Sequence, residues 1–314
     1  MSSEPTISVV IPSYNRGQVL LDTLDLLQQQ RMPPQQILVV DQTHYVQGDR
    51  VAAKLEDLHA SGEIRWMRRS TPSIPAAMNA GLLAARSSHV LFIDDDVKFE
   101  TEFIENHRRA IDISKYAGHV GQIIQPWQQA VGRHGYDSDS GLREDLNFPF
   151  HSDSVFRVAN CMAGNLLLHR EHALAAGGFD ENFVGAAYRF ESEFCRRLIR
   201  QTGEKLWFIP DASLLHLHVK VGGTRANSDH FVSADGSHSM GDYYFAMLEG
   251  APGERWRYML RRFVGSILAR YYLTRPWLMP RRLVAEWRGM QRARHAYRNG
   301  PLLLNSNQSV TGVA

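Results

Sequence analysis

The sequence HVLFIDDD at residues 89–96 decides the fold of this chain. An apolar run of strand length stops, and three carboxylates, Asp94, Asp95 and Asp96, follow it directly. Carboxylates this close raise each other's pKa unless a cation compensates them. Mg²⁺ and Mn²⁺ take such oxygen ligands together with substrate phosphates. The stretch therefore predicts either a metal and diphosphate site at the carboxyl end of a strand or an acidic turn that caps the next helix. The triplet alone does not decide between them.

Strands and helices alternate along the first hundred residues. Apolar, β-branched runs at residues 7–12 and 37–40 are separated by a segment with apolar side chains at helical spacing. This βαβ spacing predicts an α/β fold with a mainly parallel sheet covered by helices. Asp41 ends the second strand, so we expect it at the same sheet edge as the triplet. There it would bind a ribose or a base, and the alternative is a solvated loop acid.

Composition limits the class of protein and its compartment. The chain has 314 residues, of which 44% are hydrophobic and 22% charged, as in ordinary globular proteins. The two cysteines, Cys161 and Cys195, suggest no disulfide framework and fit a reducing compartment. We find no signal-peptide pattern and no apolar run of about 20 residues, so we predict a cytoplasmic protein. The absence of a dinucleotide-binding glycine motif and of a P-loop argues against nicotinamide oxidoreductases and P-loop nucleotidases.

Two further groups of titratable residues are candidates for chemistry. His216 and His218 are two positions apart in an extended segment, so their imidazoles point to opposite faces and one of them is expected at a shared metal site. Glu191 and Glu193 start an amphipathic helix, where acids either compensate the helix dipole or act as a general base.

Positive charge is concentrated in residues 255–298. This segment holds twelve arginines, no lysine and one acid, Glu286, so it carries +11 and the rest of the +2 chain carries −9. Its arginines alternate with aromatic residues, which predicts peripheral contact with anionic lipid at the inner face of the plasma membrane. The alternatives are packing on the acidic core and a homodimer face. We expect no nucleic acid partner, because no recognised binding motif accompanies the charge.

Taken in chain order, these motifs resemble an inverting family 2 glycosyltransferase of the GT-A fold. The matching segments are residues 9–16, 39–41, 79–81, 91–96, 164–165, 177–181 and 216–225. The resemblance implies an α/β fold with a mainly parallel central sheet flanked by helices and a C-terminal helical extension. The implied division is a GT-A domain at 1–225, a basic and aromatic helical region at 226–304 and a disordered tail at 305–314.

The resemblance also implies roles for individual residues. The implied nucleotide-sugar contacts are Pro12, Tyr14, Arg16, Asp41, Asn79, Asp94 and Asp95. Asp96 would ligate Mg²⁺ or Mn²⁺ as part of the family's Asp-x-Asp motif, with His216 as the preferred and His218 as the second candidate for a late metal contact. Glu191 would be the catalytic base.

Two positions depart from the family's pattern. Met78 stands where an arginine usually precedes the asparagine, so one diphosphate or sugar contact is expected to be missing. Phe190 and Glu191 stand where Glu-Asp is common, which places a glutamate at the position of the base.

The implied reaction is metal-dependent transfer of a hexosyl or deoxyhexosyl group. The donor would be a UDP-, dTDP- or GDP-sugar, and the acceptor a hydroxyl of a saccharide or of a lipid-linked acceptor, in cell-surface polysaccharide or glycolipid assembly. A catalytically inactive sugar-nucleotide binding domain and a nucleotidyltransferase are the alternatives.

Overall fold

The structure is a computed structural model that describes residues 4–114, 116–132, 139–224 and 233–304. Its strands are β1 (Ile7–Ser13), β2 (Gln36–Asp41), β3 (Arg65–Arg68), β4 (His89–Ile93), β5 (Val97–Lys98), β6 (Gly118–Ile124), β7 (Phe156–Val158), β8 (Asn165–His169) and β9 (Leu206–His216). Its helices are α1 (Gln18–Gln28), α2 (Arg50–Ala60), α3 (Ile74–Ala84), α4 (Phe103–Ala110), α5 (Arg170–Ala175), α6 (Phe190–Thr202), α7 (Ser237–Glu249), α8 (Pro252–Ile267), α9 (Arg270–Leu273) and α10 (Met279–Asn299).

The described strands form one sheet in the order β3-β2-β1-β4-β8-β6-β9-β5, with β7 paired to β9. The first four strands of this order are parallel to one another. β8 is antiparallel to both β4 and β6, so β6 and its parallel neighbour β9 again point in the direction of β4. The prediction of a mainly parallel sheet is confirmed, and the structure adds β5, β7 and β8 as antiparallel strands. Six strands therefore bring their carboxyl ends to one edge of the sheet.

Each face of the sheet is covered by its own hydrophobic core. Side chains alternate between the two faces of a strand, so Val9 and Ile11 of β1 pack with α1 and α2, whereas Val10 lies in the other core. β4 repeats the pattern, with Leu91 in the first core and Phe92 in the second. Because both faces are buried, the strands read as continuous apolar runs instead of alternating ones. This is why they were recognisable in the sequence.

The C-terminal region is helical, as predicted, and its helices join the second core. Tyr243 of α7 and Ala293 of α10 are buried in the same cluster as Phe92 and Phe190. The chain then returns to the sheet domain, where Leu304 N–H donates to a backbone carbonyl at 2.8 Å. The predicted domain boundary at 225 and the predicted tail at 305–314 lie outside the described residues. No helix in the described ranges combines the length and the apolar character that crossing a bilayer requires.

Candidate active site

The aspartate triplet and the end of β9 form an acidic cluster at the carboxyl edge of the sheet. β5 directly follows the triplet and pairs with β9, so that Val97 lies opposite His216. This register places His216 Nε2 3.1 Å from Asp96 Oδ1 and 3.7 Å from Asp94 Oδ2. One ligand atom from each of these three side chains lies within 4.8 Å of the others. The cluster brings together Asp96 and His216, two of the predicted metal ligands, with Asp94, which was predicted to contact the nucleotide sugar.

The two carboxylate oxygens of Asp96 have different surroundings. Oδ2 accepts a hydrogen bond from the Val219 N–H at 3.0 Å and lies 3.3 Å from Arg16 Nη2. Oδ1 is buried and faces His216 without a well-formed hydrogen bond. Burial raises the pKa of Asp96, but His216, Arg16 and the Val219 N–H outweigh it and hold the pKa below its ordinary value. Asp96 is therefore a carboxylate at neutral pH.

The donor set of the cluster fits a divalent cation. Two carboxylates and an imidazole are ligands that Mn²⁺ accepts, and carboxylates suit Mg²⁺ as well. The buried Asp96 Oδ1 is an acceptor directed at the space between the three side chains. His216 is oriented from behind by Gln125, whose Oε1 lies 3.1 Å from His216 Nδ1. Such a second contact fixes the tautomer and the ring direction of a ligating histidine.

Asp95 points away from this cluster and pairs with Arg16. Its Oδ1 lies 3.0 Å from Arg16 Nε, and the side chain is only 7% exposed. Burial raises the pKa of Asp95 to about 7, opposed by Arg16 and the Ser13 hydroxyl and reinforced by the neighbouring aspartates. The middle aspartate therefore anchors the turn after β1 to the triplet.

Arg16 also holds the loop that follows His216. Its Nη1 donates to the carbonyl oxygens of Val219 at 2.9 Å and Val221 at 3.0 Å. Gly223 N–H donates to the Tyr14 carbonyl at 2.7 Å, so the two loops run against each other. At Gly222 a side chain would lie 2.1 Å from the Asn15 carbonyl oxygen, which is why a glycine is needed there. Arg16 and Tyr14, both predicted to contact the nucleotide, thus form the contact between the first and last loops of the site.

Asp41 lies at the predicted edge and is almost fully buried, with 1% exposure. The alternative of a solvated loop acid is therefore wrong. Its Oδ1 accepts from Thr43 N–H at 3.0 Å, and its Oδ2 accepts from Trp66 Nε1 at 3.1 Å. Ser13 at the end of β1 is its partner in the strand register, and the half-buried Pro12 is one position earlier. Asp41 is thus held in a fixed orientation beside the end of β1.

Asn79 is engaged by the protein itself. Its side-chain nitrogen donates to Phe179 O at 2.8 Å and to Glu181 Oε1 at 2.9 Å, and its oxygen accepts from Phe179 N–H at 2.8 Å. These bonds connect α3 to the Gly177-Gly178 turn and its following residues. Asn79 is 1% exposed and its hydrogen-bond partners lie outside the acidic cluster, so the structure gives it a positioning role.

Glu191 approaches the cluster through a short backbone segment. Its Oε1 accepts a hydrogen bond from Ala163 N–H at 2.8 Å. A Cβ on the next residue, Gly164, would lie 2.3 Å from Asp94 Oδ2. Glu191 therefore contacts the backbone at Ala163, and Asp94 lies against the backbone of the next residue, Gly164. Glycine at position 164 lets the two carboxylates approach the same backbone.

His218 is not part of the cluster. It has a left-handed backbone conformation, with φ of 55°, and its ring lies 5.2 Å from that of Trp127. Its centroid is 5.9 Å from that of His216. Of the two histidine candidates, the structure brings His216 to the aspartates.

Sequence reasoning missed Gln125, Trp66 and the backbone of residues 163–164. Gln125 directly follows β6, so its place at a strand end was the signal that could have found it. Trp66 lies within β3 opposite Val39 of β2, two residues before Asp41, and only the pairing of β2 with β3 reveals the contact with Asp41.

The sequence profile of the glycosyl transferase family 2 matches residues 8–164, which is half of the chain and includes the strand that leads to the aspartate triplet. The chain belongs to glycosyltransferase family 2. A search of curated protein sequences gave no match.

Solved structures show that this family 2 chain has a GT-A glycosyltransferase fold. The mannosyltransferase PcManGT from Pyrobaculum calidifontis, in complex with GDP-Man and Mn²⁺, superposes with a TM-score of 0.54 and 15% identity, over 90% of this chain and 74% of that one. S. aureus TarS 1-349, in complex with UDP-GlcNAc, gives a TM-score of 0.56 at 15% identity, over 94% of this chain and 92% of that one. GalNAc-T7 with UDP, GalNAc and Mn²⁺ gives 0.57 at 16%, over 87% of this chain and 58% of that one.

The two departures from the usual family 2 pattern have structural counterparts. Met78 is 1% exposed and packs in the second core, so its side chain lies away from solvent. Phe190 is equally buried in that core and begins α6. The helix therefore presents its first acid, Glu191, one position after a core residue.

Proposed function

We propose that this protein is a metal-dependent, inverting glycosyltransferase. It would move a hexosyl or deoxyhexosyl group from a nucleotide-diphosphate sugar to an acceptor hydroxyl. The observation that supports this most is that Asp94, Asp96 and His216 lie together at the sheet edge. Glu191 contacts Ala163, the residue before Gly164, whose backbone lies against Asp94. Family membership favours glycosyl over nucleotidyl transfer.

The donor would lie along the carboxyl edge of the sheet. Asp41, Pro12 and Tyr14, which lie at or beside the end of β1, would contact the nucleoside. Asp94, Asp96 and His216 would hold Mg²⁺ or Mn²⁺ against the diphosphate. When bound, the cation supplies Lewis-acid neutralisation of the leaving diphosphate, typically worth several kcal/mol. The Mn²⁺ complexes of PcManGT and GalNAc-T7 support this arrangement.

Glu191 would act as the general base. Its carboxylate takes the proton of the acceptor hydroxyl while that oxygen bonds to the anomeric carbon and the bond to the diphosphate breaks. Because the acceptor attacks from the side opposite the leaving group, the anomeric configuration inverts. The Ala163 N–H fixes the orientation of the carboxylate, and such positioning is a condition for proton transfer in the transition state.

A panel of nucleotide sugars tests the donor site. We expect one UDP-, dTDP- or GDP-sugar, at about 100 times its Kd, to raise the Tm by roughly 5 °C with Mn²⁺ and much less with EDTA. The binding free energy at that ratio is about 2.7 kcal/mol, which accounts for the shift.

Two outcomes would contradict this part of the proposal. An unchanged Tm with every nucleotide sugar would contradict donor binding. An equal Tm shift in EDTA would contradict a role of the metal in donor binding. Hydrolysis of the stabilising donor in the absence of acceptor separates an enzyme from an inactive binding domain.

We also propose peripheral contact with anionic lipid, through the C-terminal helices, at the inner face of the plasma membrane. Exposed apolar side chains occur there between exposed arginines: Leu260 is 64% exposed, Leu268 57% and Trp277 70%. Apolar side chains inserted at the interface and cations facing the headgroups both favour binding. This placement supports a lipid-linked acceptor and a role in cell-surface polysaccharide or glycolipid assembly.

Liposome flotation tests the lipid contact. We expect the protein to float with anionic vesicles at low salt, and Trp277→Ser to reduce the bound fraction several-fold. Trp127→Ser is the matched control, because Trp127 is also exposed, at 67%, and belongs to a different surface. Absence of flotation at low salt would end this proposal, as would equal losses in the two variants.

A further inference from the structure

A cavity of about 450 Å³ lies beside the start of α6. Its walls come from separate parts of the chain that only the tertiary fold brings together, among them Arg143 and Leu146 before β7. Tyr188 and Arg189 precede α6, Asp242 belongs to α7, Arg262 to α8 and Arg282 to α10. No step of the proposed donor chemistry uses these residues.

Buried ion pairs fix the inner wall of this cavity. Asp242 lies between two guanidinium groups, 3.1 Å from Arg189 Nε and 2.7 Å from Arg262 Nε. Glu286 Oε1 lies 3.2 Å from Arg262 Nη1 and 2.5 Å from Arg282 Nη2. Among the described residues, three guanidinium groups thus share these two carboxylates. Guanidinium groups fixed in this way direct N–H donors along the wall, and such donors bind anions.

Arg261 adds a further guanidinium group at the mouth. It lines the same cavity and is exposed. Within the part of the chain that the structure describes, it makes no hydrogen bond or ion pair. A phosphate monoester carries about −1.5 to −2 charges at neutral pH, so it is a suitable partner for the free Arg261 guanidinium. Guanidinium groups also present the planar fork that binds phosphate oxygens in pairs.

We propose that this cavity binds the acceptor substrate through a phosphoryl group. The inference rests on the proposed transferase function and names the chemical class of its acceptor. Arg189 has φ of 71° and is followed directly by Phe190 and Glu191. A phosphoryl group held by Arg189, Arg262 and Arg261 would leave the attached saccharide to extend toward Glu191, where one of its hydroxyls gives up its proton.

Tyr188 connects the cavity to the base. Its ring stacks on His238 with centroids 4.8 Å apart, and Arg189 lies 4.6 Å from its centroid. Burial raises the pKa of the Tyr188 hydroxyl, and the carboxylates of Asp242 and Glu191 add to that rise. Glu191 follows Tyr188 by three positions, so a short piece of chain connects the cavity wall to the base.

The rim of the cavity favours a lipid-linked phosphate over a free one. Gly265, Ala269 and Tyr272 belong to the lining, and the intervening and following side chains Leu268 and Leu273 are 57% and 55% exposed. An acceptor with its phosphate among the arginines would place a hydrocarbon chain on these apolar side chains.

Isothermal titration with farnesyl phosphate and with inorganic phosphate tests the proposal. Both titrations are made in EDTA, so that no metal at the acidic cluster attracts the anion. We expect farnesyl phosphate to bind, and Arg261→Ala to weaken its binding about ten-fold or more, as for a lost charge-assisted hydrogen bond. Arg261→Lys keeps the charge and loses the planar guanidinium fork. Its affinity for farnesyl phosphate should lie between that of the unchanged protein and that of Arg261→Ala. Arg257→Ala, an equal charge loss at an exposed site of α8 outside the lining, should leave the affinity unchanged.

The two probes distinguish the sources of the phosphoryl group. Tighter binding of farnesyl phosphate supports a lipid-linked acceptor, and equal affinities support a phosphorylated saccharide in solution. If neither probe binds, or if Arg257→Ala and Arg261→Ala weaken binding equally, the phosphoryl site is overturned. A failure of the transferase function would be seen separately, as the absence of nucleotide-sugar stabilisation with Mn²⁺ in the unchanged protein. Phosphoryl binding in a protein that binds no donor would overturn the acceptor assignment.

Discussion

Replacement of Asp96 by alanine should reduce glycosyl transfer about 10³-fold or more. Asp96 is the buried member of the acidic cluster, and its Oδ1 faces both His216 and the space that a cation would fill. Without this carboxylate the cation loses a ligand, and the leaving diphosphate loses neutralisation worth several kcal/mol. The measurement is the initial transfer rate as a function of Mn²⁺ concentration.

Asp96→Asn separates the loss of a ligand from damage to the fold. An asparagine oxygen could still accept from Val219 N–H, so the loop after His216 would keep that contact. Without ligand, the Tm of Asp96→Asn should stay near that of the unchanged protein, and the Tm of Asp96→Ala should fall. Asp25→Ala, a change of an exposed acid on α1, is the control for charge. Normal transfer by Asp96→Asn at low Mn²⁺ would show that Asp96 is not a metal ligand.

The second large effect is expected for Glu191→Gln, with a loss of about 10² to 10⁴ in kcat. This is the usual contribution of a positioned general base. Glutamine has the same shape and can still accept from Ala163 N–H, so the donor should bind as before. The rate should also lose the rise with pH that titration of a base produces. The measurements are kcat across pH and the Tm shift with donor and Mn²⁺.

Glu193→Gln is the matched control on the same helix. Glu193 is 2% exposed, and its Oε1 lies 2.5 Å from Arg197 Nε. Burial raises the pKa of Glu193, while Arg197 lowers it. Its replacement should lower the Tm, because it breaks a buried ion pair, and should spare kcat. If Glu191→Gln transfers at the normal rate, Glu191 is not the base.

The edge of the sheet was predictable because strand ends carry local signals. An apolar run followed by Asp94–Asp96 and a second run followed by Asp41 place four carboxylates at one edge of any parallel sheet. The period of two also predicted that Asp94 and Asp96 share a side, as in the cluster with His216. The hydrogen bond from Trp66, which helps to distinguish Asp41 from a solvated loop acid, comes from the neighbouring strand and was not visible in the sequence.

Contacts between distant segments were not predictable. β8 enters between β4 and β6 although about 40 residues lie between β6 and β8 in the chain, and nothing in its own sequence names its neighbours. Arg16 was expected to contact the nucleotide, and the structure shows it paired with Asp95 and bound to the loop after His216. The basic segment was expected as one surface, whereas Arg262 and Arg282 are mostly buried against Asp242 and Glu286.

The turn before α6 limits which insertions, deletions and substitutions this protein can tolerate. Four consecutive residues lie in three different environments. Tyr188 and Arg189 line the cavity, Phe190 lies in the core and Glu191 contacts Ala163. The left-handed conformation of Arg189 sets the direction in which the helix begins. An insertion or deletion of one residue here would move a different side chain into each surrounding at once. If the cavity binds the acceptor as proposed, acceptor preference would diversify by substitution on α8 and α10, while the length of this turn stays constant.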